Sequence, residues 1–206
     1  MTESENRLLQ YITNFFITVL TGIAFKKAVD SLMDMINEGS LQLYVANSWV
    51  LPLVFFITLI RFSFGNIAHA FHLSGTHSRV SPLIILYDLT FIIVEFLLLS
   101  IMGSIFHTKE ILFVTLLIIL FLTDAIWIGT MIPMACVGWR PQVPYIWGVL
   151  NTCVAAILLI IVAKDPNIFL TLFGSATLLL LSLIAAALDV IIVDHYHLLK
   201  SVNSSK

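Results

Sequence analysis

Apolar residues in this chain do not form stripes or alternate. They run in six nearly unbroken blocks, each about twenty residues long, parted by short polar breaks. A helix rises 1.5 Å per residue, so a block of this length crosses a hydrocarbon core of about 30 Å. The pattern predicts an all-α, polytopic integral membrane protein, a bundle of about six transmembrane helices with short loops. Its spans fall at residues 8–25, 49–73, 83–106, 111–132, 145–163 and 168–193 of a single transmembrane domain over 1–206.

The breaks have physical causes. Lys26 and Lys27 close the first block, a polar turn runs from Gly75 to Pro82, and His107 to Glu110 makes a minimal one. The segment from Gly138 to Pro144 holds two prolines, each of which disfavours helix in the residue before it, and Lys164-Asp165-Pro166-Asn167 closes the last hairpin. Trp49, Trp139, Tyr145 and Trp147 fall near span ends, where amphipathic rings settle at headgroup level. Between the first two spans, Val29, Leu32, Met33 and Ile36 repeat at helical spacing opposite Asp30, Asp34 and Glu38. This predicts an amphipathic helix over 28–38, either lying on the membrane surface or extending the first span.

Composition agrees. Of 206 residues, 60% are hydrophobic and 11% charged, where a soluble domain carries roughly a quarter charged. A net charge of −2 leaves no basic footprint for nucleic acid, so the expected partner is the lipid bilayer. Cys136 and Cys153 have neither metal nor redox spacing. The N-terminal Glu3 and Glu5 do not make the basic leader of a secretory signal, and the first block reads as a retained span. Six spans put both termini on one side. Arg7, Arg79, Arg140, Lys200 and Lys206 lie there against Lys26, Lys27, Lys109 and Lys164 opposite, a small majority that favours cytoplasmic termini.

The chemistry lies in residues that lipid does not welcome, since ionisable groups within spans face protein or a watery cavity and mark function by default. Arg61 and Glu95 sit near the middles of the second and third spans, so a midplane Arg61–Glu95 ion pair is expected. Counted inward from the terminus side, Asn14, Asn66, Asp88, Asp124, Asn151 and Asp189 lie on successive spans at depths on the order of 6–15 Å. The far half offers mainly hydroxyls: Thr21, Thr58, Ser100, Ser104, Thr115 and Ser175. The asymmetry predicts a pocket open to the terminus side, with His69 and His72 near its mouth and Arg61 on the same helix face.

Imidazoles and carboxylates in file can relay protons or conduct cations. Alternatively, His69 and His72, spaced i, i+3, could hold a divalent metal together with Asp88. The chain carries no P-loop, Gly-x-Ser-x-Gly, His-Glu-x-x-His or potassium-filter sequence. The leading expectation is a transporter or channel-type protein, homo-oligomeric, handling protons, cations or a small polar solute. An intramembrane metal-dependent enzyme or cofactor binder with a lipid or quinone partner, and a membrane-embedded sensor or effector, are the rivals. Whether the chain is an enzyme is left open.

Overall fold

The computed structural model describes residues 3–37, 49–75, 82–106, 108–135 and 144–204, with side chains described at residue 8 and over 11–37, 49–67, 69, 86–106, 108–130 and 146–191. Its helices are α1 (Glu3–Asn37), α2 (Val50–Gly75), α3 (Pro82–Ile105), α4 (Glu110–Ala135), α5 (Pro144–Lys164) and α6 (Leu172–Ser204), with one 3₁₀ turn at Ile168–Leu170. All six are long and apolar enough to span a membrane, and the chain is a multi-pass integral membrane protein.

Helix limits follow local chemistry. Pro82 and Pro144 open α3 and α5, positions where the missing N–H costs nothing. Past α5, the Asn167 amide donates to Asp165 Oδ1 at 2.9 Å, an Asx turn. The Gly174 amide donates to Thr171 Oγ1 at 3.1 Å, capping the start of α6. Gly174 admits no side chain, since a Cβ there would stand 2.1 Å from the Ile168 carbonyl oxygen.

The expected amphipathic segment is the end of α1, in one continuous helix with the first span. Its buried edge differs from the expected one. Ile17, Ala24, Ala28, Ser31 and Met35 are buried along one line of α1, whereas Met33 and Ile36 are exposed. The line's middle, Ala24, Ala28 and Ser31, is built from small side chains so that backbones can meet, as transmembrane interfaces favour. A Cβ on Gly103 of α3 would lie 3.1 Å from the Ala24 carbonyl oxygen and 3.2 Å from the Ala28 amide nitrogen.

Helices α2 to α6 form a ring in which α2 adjoins α3 and α6, and α3–α4, α4–α5 and α5–α6 complete the circuit. Helix α1 packs on α2 and α3, outside their seam. The ring's far half is filled by Phe55, Phe96, Leu99, Met102, Phe106, Phe113, Leu117 and Leu120, all essentially inaccessible. Hydroxyls there turn back on their own helices: Thr58 to the Val54 carbonyl (2.7 Å), Ser100 to Phe96 (2.8 Å), Ser104 to Ile101 (2.8 Å) and Thr115 to Ile111 (2.8 Å). Thr21 is different; it bonds across helices to Ser63 at 3.0 Å.

Candidate functional site

From the middle of the ring toward the terminus side, the core changes from hydrocarbon to a connected polar network. Arg61 of α2 is its hub. The guanidinium donates through Nε to Asp189 Oδ2 on α6 and through Nη2 to Asp189 Oδ1 at 3.4 Å. Such a forked contact adds geometric selectivity to charge. Nη2 also donates to Asn151 Oδ1 on α5. The group lies 5.3 Å from the Phe121 ring centroid and 5.8 Å from that of Phe62, within cation–π range.

The network continues across the ring. Asn151 Nδ2 donates to Asp124 Oδ2 on α4, and the Asp124 carboxyl lies close to that of Glu95 on α3. Glu95 Oε2 accepts from Asn66 Nδ2 at 3.0 Å, and the same amide donates to the Phe62 carbonyl at 3.0 Å. Two bonded groups thus run side by side across the ring: Asp189, Arg61, Asn151 and Asp124 on α6, α2, α5 and α4, and Glu95 with Asn66 on α3 and α2.

A second cluster adjoins it nearer the terminus side. His69 Nε2 and Asp88 Oδ2 lie 3.0 Å apart, and Trp127 Nε1 donates to Asp88 Oδ1 at 2.9 Å. The His69 and Trp127 rings meet edge to face with centroids 4.8 Å apart, fixing the imidazole from a second direction. Tyr87 and Thr130 bond one helix turn away. Between the clusters lies a cavity of about 30 Å³ lined by Arg61, Phe62, Gly65, Asn66, His69, Asp124, Trp127, Trp147, Asn151 and Asp189. It has room for about one water or a small ion.

Several expected site residues therefore converge. Asn66, His69, Asp124, Asn151 and Asp189 line the cavity, while Asp88 and Glu95 bond residues that do. The expected Arg61–Glu95 pair is corrected: Arg61 pairs with Asp189 and Glu95 with Asn66. The error assumed that sequential helices supply each other's partners, whereas α2 lies against α6 as well as α3. Asn14, on the outlying α1, does not line the cavity, and its buried Oδ1 has no bonding partner among the described residues. Of the expected metal set, His69 and Asp88 fall among the described side chains. His69 and Asp88 meet, but Trp127 holds Asp88's other oxygen and the side chain of His72 lies outside the described residues. Among the described residues no three His, Cys, Asp or Glu side chains are spaced to hold a metal ion.

Two tryptophans escaped the sequence reading. Trp127 was hidden in an apolar run, although it stands three residues from Asp124 and so shares its helix face. Trp147 is 8% exposed and packs near Gly65, a role in the site that its place near a span end did not suggest. Its spacing of four from Asn151 was the available signal.

No family model, curated protein or solved structure matches the chain. What the site does is accordingly read from its own geometry.

Proposed function

We propose that this protein handles protons or a small cation across part of the bilayer, as a transporter-type protein seen with its far side closed. The observation that carries the reading is the closeness of the Glu95 and Asp124 carboxyls inside a network that offers four carboxyl groups to one guanidinium and one imidazole. Two carboxyl groups held close in a low-dielectric interior resist ionising together, and a proton or a cation between them relieves that repulsion. In a low-dielectric interior the surplus of acids gives the site a standing demand for positive charge.

The direction of access follows from packing. The polar network occupies the half of the ring nearer the termini, and the far half is sealed by aromatic and aliphatic side chains. With the termini cytoplasmic, as the Lys and Arg distribution favours, this is a cup loaded from the cytoplasm. Release on the other side requires the Arg61–Asp189 bond and the packing beneath it to rearrange, which gives Arg61 a gating role.

The test is flux into liposomes reconstituted with the purified protein, read with a pH-sensitive dye under imposed proton and monovalent-cation gradients. Glu95→Gln and Asp124→Asn keep shape while removing the carboxyl pair, and each is expected to lower flux at least about tenfold, the effect of losing a charge that must be bound in transit. Flux unchanged in both variants would remove the proposal. A pocket that only senses its ligand would instead give no flux in the wild type and a ligand-induced thermal shift lost in Asp124→Asn.

A further inference from the structure

A second cavity, of about 440 Å³, lies on the outward side of the same guanidinium. Its walls are Ile57, Ile60 and Phe64 of α2 and Leu183, Ala186 and Val190 of α6, and Arg61, Gly65, Trp147 and Asp189 also line it. Ile60 is 56% exposed, Phe64 70% and Val190 63%. On helices that span the bilayer, such exposed apolar side chains face lipid, so the crevice opens sideways into the membrane. Its volume is that of a small-molecule site, which is also typically apolar with a few placed polar groups.

The polar groups are specific in kind. Arg61 and Trp147 are both more than nine-tenths buried, and Arg61 Nη1 and Trp147 Nε1 have no acceptor among the described residues. Both groups are obligate donors. A buried donor without a partner is costly, and here two of them belong to residues that line both this crevice and the small polar cavity beside it. From the crevice, we infer that α2, α5 and α6 form a binding site for a neutral, lipid-soluble molecule whose apolar body lies along α2 and α6 and whose carbonyl-type oxygen accepts from Arg61 and Trp147.

Charge narrows the class. Arg61 is already paired with Asp189, and Asp124 and Glu95 follow in the same network, so an anionic head would add negative charge to a site with acids in surplus. A neutral oxygen adds none. The acceptor is thus an uncharged oxygen, of the ester, ketone or quinone type. This inference stands on the crevice and its two donors and does not require ion movement.

Photolabelling separates it from the transport reading. Wild-type protein in liposomes is exposed to a long-chain fatty acid methyl ester carrying a mid-chain diazirine, and in parallel to the matching alkane and the matching free acid; crosslinks are mapped by peptide mass spectrometry. The ester should label residues 57–65 and 183–190 in preference to other lipid-facing surface, and the alkane should show no such preference. Trp147→Phe keeps the ring and removes the donor, and should lower this labelling about five-fold, the worth of one hydrogen bond. Ala186→Phe fills the crevice without touching either donor and should abolish it. Ester labelling distributed like that of the alkane, unchanged labelling in both variants, or stronger labelling by the free acid overturns the inference. Because the readout is occupancy, it is decided whether or not Glu95→Gln alters flux.

Discussion

The two halves of this bundle solve the same packing problem with different materials. On the far side, backbones approach along Ala24, Ala28 and Gly103, phenylalanines fill the ring, and hydroxyls are returned to their own helices. On the terminus side, each ring helix gives up apolar contact to hold a charged or amide group, and cohesion passes through side-chain hydrogen bonds. Lipid is as apolar as leucine, so hydrophobic burial drives helix association in neither half; close packing holds one, and polar bonding the other. The lesson is one of reversibility. Packed methyl groups have one good arrangement, whereas bonds among one guanidinium, two amides and several carboxyls can be exchanged when a proton or cation arrives.

Substitutions can break this contrast. The largest expected effect is at the hub: Arg61→Ala leaves Asp189 buried without its partner, a loss of roughly 3–5 kcal/mol in denaturation of the detergent-solubilised protein. The double change Arg61→Met with Asp189→Leu should recover most of that loss, because removing both charges leaves none stranded. If the double variant is no more stable than Arg61→Ala, the pair is not the element that holds α2 to α6. Smaller, and in the other half, Gly103→Val forces α3 off the α1 backbone at a cost of about 1–3 kcal/mol. Flux per folded molecule should be unaffected, and a flux loss that outlasts correction for folding would erase the division of labour between the halves. Least of all, Thr58→Val should change stability by no more than about 0.5 kcal/mol, since its hydroxyl serves only its own helix. A larger loss would place a polar interaction where packing alone is described.

The six spans were legible in the sequence because bilayer thickness dictates block length, a constraint that does not depend on tertiary structure. The siting of acids and amides in one half was legible for the same reason, as depth along a helix is a count of residues. Pairing was not. Arg61 and Glu95 do lie near mid-helix, but a guanidinium at the end of a long stem bonds several ångströms from its own Cα, and Asp189 lies within that reach on a helix far away in sequence. Nor could Asn14 be set aside from sequence: a depth count says nothing of which helix stands outside the ring. The packing of Trp147 against Gly65 was not legible because it depends on which helices stand together, not on depth along α5.

The Arg61–Asp189 bond also has a history in time. Its partners are 128 residues apart in the chain, and at a synthesis rate of about 5–20 residues per second the carboxylate appears on the order of ten seconds after the guanidinium. An arginine entering the bilayer alone carries a burden of about 2.5–3.5 kcal/mol. Asn151 and Asp124 can meet the guanidinium once α4 and α5 are made, and the forked bond to Asp189 closes only with the sixth span.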